Sequence, residues 1–133
     1  MRLLIIDDLN WRVCTPVKDN EQIDLLEYLE SCNDSDADGI LSYFERFAQF
    51  GHNGFSASQM HEANKNESIY EFSKGRHRIL FFNIEGRAIV VSCVHIKKGK
   101  KANPKEVNKA IKIKNQYLEA YEKGLIQFIR QDE

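Results

Sequence analysis

The stretch IYEFSKGRHRILFFNIEGRAIVVSCVHI, Ile69–Ile96, decides the fold. It contains three extended segments that are rich in β-branched and aromatic residues, as β-strands are. The two breaks between the segments are short and contain glycine, which favours tight antiparallel hairpins. We therefore expect a three-stranded meander with strands at Ile69–Ser73, Arg76–Ile84 and Ala88–Ile96.

The residues before the meander predict one strand and two helices. The apolar run Arg2–Ile6 is typical of a buried strand. Apolar residues at helical spacing in DNEQIDLLEYLESC, which starts at Asp19, and in DADGILSYFERFAQFG, which Gly51 closes, predict an N-terminal helical hairpin. The polar segment from His52 to Ser68 is interpreted as a loop.

A basic connection follows the meander and leads into a last helix. Asn103 can cap this helix and Pro104 can occupy its first position, and the helix should run to about Lys123 before Gly124. The predicted order is β-α-α-β-β-β-α. We expect an α+β fold in which residues 1–133 form a single domain with an antiparallel meander sheet.

Composition narrows the class of protein. A chain of 133 residues with 42% hydrophobic and 29% charged residues suits one globular domain. Three cysteines without C-x-x-C spacing favour neither a disulfide framework nor a zinc site, which is typical of a cytoplasmic protein. The apolar runs are too short for a membrane span, so no membrane association is expected.

Charge is divided unevenly along the chain although the net charge is −1. Residues 1–73 hold 5 Lys and Arg against 14 Asp and Glu, whereas residues 74–123 hold 13 against 4. A basic segment of this kind favours an anionic partner, and nucleic acid is the obvious candidate.

Two basic clusters should meet at one edge of the meander. In an antiparallel pair the start of one strand lies beside the end of the next, which brings Arg76 and Arg78 close to His95. Alternation along a strand should also place Arg76 and Arg78 on the same side, with His77 opposite. We interpret this edge as a phosphate-binding patch; a solvated basic face is the alternative. The candidate catalytic residues are Arg78, His95, Lys97 and Lys98, and the candidate RNA-binding residues are Lys74, Arg76, His77, Lys100 and Lys101.

These residue types suit cleavage of RNA through its 2′-hydroxyl group. That reaction needs a base, cations that stabilise the crowded phosphorus, and an acid for the leaving oxygen. The four histidines show no metal-binding spacing, and glycine-rich phosphate loops and nucleotide-binding motifs are absent from the sequence. We therefore expect no metal and no cofactor.

The segments IYEFSKGRHRILFF and IVVSCVHIKKGKKANPKEVNKAIK resemble the RelE/ParE superfamily of type II toxins, and within it the phage-derived, HigB-like branch. The resemblance covers about residues 69 to 118. It implies a small α+β toxin that cleaves messenger RNA, usually on the ribosome, and that a cognate antitoxin protein holds inactive. Arg78 resembles the phosphate-binding arginine of the family, and Lys97 or Lys98 resembles the basic residue after the following strand.

Two other functions remain open on the same fold. One branch of the superfamily inhibits DNA gyrase without cutting RNA, and a phage-derived protein could use the fold for binding alone. The C-terminal stretch GLIQFIRQDE, from Gly124 to Glu133, gives no match to the acid or base that the cutting members often keep there. The identity of the general acid and base is therefore left open by the resemblance.

Overall fold

A computed structural model of the chain describes residues 1–131; Asp132 and Glu133, the end of the stretch discussed above, lie outside the described residues. Seven strands form one mixed sheet, in the order β3-β4-β5-β6-β2-β1-β7. The strands are β1 Arg2–Asp8, β2 Arg12–Val17, β3 Met60–Asn64, β4 Ile69–Lys74, β5 His77–Ile84, β6 Ala88–Ile96 and β7 Gln127–Arg130. The helices are α1 Asp24–Ser31, α2 Asp34–Phe50 and α3 Pro104–Glu122. The predicted α+β class is confirmed.

The meander is present as predicted, in strands β4, β5 and β6, which pair antiparallel in sequence order. Two boundaries differ by one residue, because β4 continues from Ser73 to Lys74, which pairs with His77, and only two residues remain for the turn. Gly75 occupies a positive φ of 56° in that turn, a conformation that glycine adopts without steric cost. Arg76 is therefore a turn residue, and β5 begins at His77 instead of Arg76.

Three strands were not predicted. Strand β2 contains Pro16, which is an unusual residue in a strand. It pairs in parallel with β6, and no local turn in the sequence predicts that pairing. Strand β3 lies inside the segment from His52 to Ser68. That segment was interpreted as a loop because its residues are mostly polar. Strand β7 has four residues and pairs in parallel with β1, from the other end of the chain.

The helices begin and end close to the predicted residues, with one exception. Helix α1 begins at Asp24, not near Asp19, because a turn in which Glu21 takes a positive φ of 68° occupies the intervening residues. Helix α2 ends at Gly51 as predicted. The Asn103 side chain caps α3 by accepting from two backbone N–H groups, and Pro104 opens the helix.

The sheet is covered on both faces, so alternate residues of its central strands enter two different cores. Helices α1 and α2 pack on one face against Phe72, Ile79 and Phe81, and α3 packs on the other against Leu80 and Phe82. The rings of Phe72 and Phe81 stack with centroids 4.4 Å apart. Each fully buried aromatic side chain contributes about 1.5–3 kcal/mol through burial. Of the helices within residues 1–131, none is long and apolar enough to cross a membrane.

Candidate functional site

Six of the nine predicted site residues line one cavity of about 350 Å³ at the edge of the α3-covered face. Five cationic side chains and one carboxylate, Glu71, surround this space, together with two histidines. We call it the cationic cavity. Its charged and titratable lining residues are His61, Glu71, Arg78, His95, Lys97, Lys98, Lys100 and Lys101.

Four neighbouring strands each contribute at least one side chain to the cationic cavity. His61 of β3 lies directly across from Glu71 of β4, and Arg78 of β5 lies directly across from His95 of β6. Residues opposite each other in an antiparallel pair project on the same face of the sheet. The expected meeting of Arg78 with His95 and the following lysines is therefore confirmed.

The Arg78 side chain is fixed by its own backbone surroundings. Its Nη1 donates to the carbonyl oxygens of Gly75 and His77, at 2.8 and 2.9 Å. Its Nε lies 3.9 Å from Oε1 of Glu71, and the side chain is 14% exposed. A guanidinium held in this way is preorganised to contact an anion in the cavity.

Glu71 is the acidic residue of the cavity, and the sequence analysis did not select it. The residue is 4% exposed, and its Oε1 accepts from Nε2 of His61 at 3.0 Å. Its Oε2 is buried without a hydrogen-bond partner. Alternation along IYEFS could have placed Glu71 on the cavity face of the strand. Glu71 shares that face with Ile69, whereas Phe72 lies on the other face.

His61 was also missed, because it lies in the segment interpreted as a loop. Only the pairing of β3 with β4 brings it to the cavity, and a strand of five mostly polar residues carries a weak sequence signal. Its side chain is 42% exposed. The cavity therefore contains a solvent-accessible imidazole that is hydrogen-bonded to a buried carboxylate.

His95 has a different environment. Burial lowers the pKa of His95 below its ordinary value, while the carboxylates of Glu106 and Glu71 act in the opposite direction. Its Nδ1 is buried without a hydrogen-bond partner. Burial therefore favours the neutral form of the His95 imidazole.

The lysines after β6 supply most of the positive charge. Within residues 1–131, none of them forms an ion pair with an acidic side chain. These lysines are Lys97, Lys98, Lys100 and Lys101. Cations that lack a protein counterion are available to neutralise an anionic ligand.

The other three predicted residues, Lys74, Arg76 and His77, line a separate cavity beside α2. Nη2 of Arg76 lies 3.6 Å from Oδ2 of Asp36, on the face opposite Arg78. The expectation that Arg76 and Arg78 share one side is therefore wrong, because Arg76 is in the turn and the alternation of β5 starts after it. Lys74 extends over the Tyr43 ring, 5.5 Å from its centroid.

His77 is buried, at 3% exposure, and both ring nitrogens are occupied. Its Nε2 lies 2.9 Å from Oδ2 of Asp36, and its Nδ1 lies 2.7 Å from the Tyr28 hydroxyl. Since a carboxylate only accepts, Nε2 carries the proton and Nδ1 accepts from Tyr28. We call His77, Tyr28, Asp36 and Arg76 the His77 network; it ties both first helices to β5 and leaves His77 inaccessible to RNA.

A larger cleft of about 660 Å³ lies between α1 and α3. Its lining contains three cationic and three acidic side chains, so it has no net attraction for an anion. The cationic cavity is smaller, but its excess of positive charge and its two histidines suit phosphate chemistry better. Among residues 1–131, no three His, Cys, Asp or Glu residues are grouped so that they could hold a metal ion.

The fold and this cavity define a small α+β protein with a cavity of excess positive charge on strands β3 to β6 of its sheet. The family model described as Phage derived protein Gp49-like (DUF891) matches residues 27–115, about two thirds of the chain. The chain belongs to this family, which confirms the phage-derived part of the resemblance. The match covers the cationic cavity and leaves out β1, β2 and β7. None of the curated proteins matches the chain.

Proposed function

We propose that this protein is the toxin of a toxin–antitoxin pair and cleaves messenger RNA, during translation on the ribosome, in the cationic cavity. The observation that carries the proposal is the convergence of Arg78, two histidines and four lysines around one space. Membership of the phage-derived Gp49-like family supports it. The proposed reaction forms a 2′,3′-cyclic phosphate and uses protein side chains, without a metal ion.

Arg78 is proposed to bind the scissile phosphate. It is held by two carbonyl oxygens, so little reorganisation is needed when negative charge develops on the phosphorane. Lys97 and Lys98 follow β6 directly and are placed to stabilise the same charge or to protonate the leaving oxygen. Lys100 and Lys101 extend the positive surface and are proposed to contact the RNA backbone.

An antitoxin protein is the proposed regulatory partner. The four lysines of the cavity have no acidic partner within residues 1–131, so an acidic segment of the antitoxin can cover the cavity and block RNA. Such charge complementarity increases the association rate and depends on salt. Association with the antitoxin should therefore weaken as the salt concentration rises, and equal binding at low and high salt would contradict electrostatic docking.

The proposal is tested by expressing the chain alone in a bacterial host. Growth is followed while messenger 5′ ends are mapped, for the wild type and for a double variant with Arg78→Ala and Lys97→Ala. The matched control carries Arg130→Ala and Lys123→Ala, which remove an arginine and a lysine whose partners lie outside the cavity. We expect growth arrest and new 5′ ends in translated messengers for the wild type and the control, and neither for the double variant.

Two other outcomes would contradict the ribonuclease proposal. Growth arrest with intact messengers would indicate another target, such as DNA gyrase, and a supercoiling assay would then identify it. Normal growth with a folded protein would indicate a binding protein that uses the same fold without catalysis.

A further inference from the structure

The two histidines and Glu71 of the cationic cavity suggest a more specific assignment. Among the residues that the structure describes, two buried side-chain atoms lack a hydrogen-bond partner: Oε2 of Glu71 and Nδ1 of His95. Both residues line this cavity. Buried polar atoms are normally paired, and unpaired ones concentrate where a ligand or a reaction requires them. Protein groups within residues 1–131 therefore leave both atoms for water or a ligand to pair.

We propose that His61 is the general base of the reaction and that Glu71 positions it. This assignment rests on the proposed function and deepens it by naming the group that activates the ribose. His61 and Glu71 lie directly opposite each other on β3 and β4, and Nε2 of His61 is 3.0 Å from Oε1 of Glu71. They form a histidine–carboxylate pair of the kind that orients an imidazole for proton transfer.

The hydrogen bond to Glu71 determines which nitrogen of His61 reacts. A carboxylate can only accept, so Nε2 of His61 carries the proton. In the neutral imidazole the lone pair is then on Nδ1, the nitrogen that faces away from Glu71. Because Glu71 is buried and His61 is partly exposed, Nδ1 can reach a substrate that enters from solvent.

The other groups of the cavity suit the base role less well. Lysine ammonium and arginine guanidinium groups carry no lone pair that can accept a proton. Nδ1 of His95 has no hydrogen-bond partner within residues 1–131, so His95 lacks the orienting carboxylate that Glu71 provides for His61. His61 therefore combines access, a free lone pair and a buried orienting partner.

The step is a transphosphorylation in which atoms and charge balance. Nδ1 of His61 takes the proton of the 2′-hydroxyl, and the 2′-oxygen forms a bond to phosphorus. The bond between phosphorus and the 5′-oxygen breaks, and that oxygen takes a proton from the ammonium group of Lys97 or Lys98. The products are a 2′,3′-cyclic phosphate and a 5′-hydroxyl end.

The test uses the full chain with translating ribosomes and a defined messenger under single-turnover conditions. His61→Gly should slow cleavage roughly 10²–10⁴-fold, the usual contribution of a general base. Added imidazole should restore part of the rate. Glu71→Gln should lower the rate roughly tenfold or more with little change in the concentration for half saturation, since it disturbs the orientation of His61 and not RNA binding. The control is Glu62→Gln, a neighbouring exposed carboxylate that lies outside the cavity.

Two further measurements are needed. The first separates a catalytic defect from a folding defect, and the second separates a general base from a general acid. Imidazole rescue of His61→Gly should be weaker when Glu71→Gln is also present, an effect that a purely structural role would not produce. A messenger with sulfur in place of the 5′-bridging oxygen has a leaving group that needs no proton. The defect of His61→Gly should persist on this substrate; full recovery would show that His61 is an acid and would overturn the assignment.

The failure of this inference is distinguishable from failure of the proposed function. If the wild type cleaves and Arg78→Ala abolishes cleavage while His61→Gln, folded by circular dichroism, keeps the wild-type rate, the base assignment is wrong and the ribonuclease stands. If the wild type cleaves no RNA, both fail together. If His61→Gly unfolds, the decision rests on His61→Gln, which can still donate to Glu71 but cannot accept a proton through an imidazole nitrogen.

Discussion

His77 and Arg78 are neighbours in β5, yet they belong to opposite faces of the sheet and to very different surroundings. In the His77 network every ring nitrogen has a partner, and the imidazole is 3% exposed. Around Arg78, the buried atoms Oε2 of Glu71 and Nδ1 of His95 have none. The two regions contain similar residue types at the same end of the same strand.

The difference separates polar groups that have all their hydrogen-bond partners within the protein from polar groups that do not. A buried network with complete hydrogen bonding lowers the free energy of the folded state and fixes its geometry. A cavity whose buried atoms have no protein partner leaves those atoms to water or to a ligand, and its excess cations favour an anionic one. Satisfaction of hydrogen bonds, and not residue type, therefore distinguishes the His77 network from the cationic cavity.

Of the variants that separate Arg78 from the His77 network, Arg78→Ala has the largest expected effect, which is on catalysis. Arg78→Ala should reduce RNA cleavage roughly 10²–10³-fold, because it removes the group proposed to stabilise charge on the phosphorane. Cleavage is measured on translated messengers, with the Arg130→Ala variant as the matched control. If a folded Arg78→Ala protein retained cleavage, Arg78 would have no role in the proposed reaction, and the comparison would no longer separate a functional region from a structural one.

The next largest effect is on stability at His77. His77→Ala should lower the free energy of unfolding by about 2–4 kcal/mol, because it leaves a cavity and removes the partners of the Tyr28 hydroxyl and of Asp36. Urea denaturation at neutral pH measures the change. The fraction that remains folded should cleave RNA at the wild-type rate.

The Tyr28→Phe variant sharpens the same comparison. It keeps the ring and removes one hydrogen bond to His77, so the loss should be about 1 kcal/mol. If either variant lost RNA cleavage while it remained folded, the His77 network would take part in function and the two regions would not be distinct.

The next prediction concerns the pH dependence of stability at Asp36. The hydrogen bond from His77 holds the pKa of Asp36 below its ordinary value, and the positive charges of Arg76 and Lys74 act in the same direction. The unfolded carboxyl has a pKa of about 3.9, so the stabilisation is present above that pH and is lost as pH falls through the lower folded pKa. Asp36→Asn should therefore be less stable at neutral pH and should lose less stability than the wild type below about pH 4. Parallel stability curves from denaturation at pH 7 to 3 would contradict this.

The smallest expected effect is on RNA binding at the rim of the cavity. Lys100→Ala should weaken association with single-stranded RNA a few-fold and reduce the slope of log affinity against log salt by about 1, as loss of one phosphate contact does. Lys123→Ala changes the net charge equally at a lysine that pairs with Glu119 on α3. If the two variants had equal effects, the lysines of the cavity would act only through net charge.

Much of the fold could be predicted because its signals are local. The breaks at Gly75 and Gly86 define the meander, and the caps at Asn103 and Gly51 define helix ends within one residue. Of the strands that were missed, β7 depends on a distant partner, because Arg2 of β1 pairs with Gln127 of β7. No periodicity within four residues can reveal such a pairing.

About two thirds of the predicted site residues meet in one cavity. Alternation already placed His77 on the face opposite Arg78, and one strand boundary explains the position of Arg76. Because Arg76 lies in the turn, the residues that precede Arg78 turn towards α2, where Asp36 binds them. A shift of one residue in a strand boundary transfers side chains to the other face. The sequence did not identify His61 for a different reason. Its strand, β3, has a mostly polar sequence and therefore a weak strand signal.

The sequence by itself determined the α+β class, the meander and the segregation of positive charge into residues 74–123, because these follow from composition, turn residues and spacing along the chain. Only the tertiary structure decided that His77 is buried between Tyr28 and Asp36, and that His61 and Glu71 complete the cavity beside Arg78. The physical reason is that hydrogen-bond satisfaction depends on atoms brought together from different strands and helices. A side chain's neighbours in space, which set its partners and exposure, are not its neighbours in sequence.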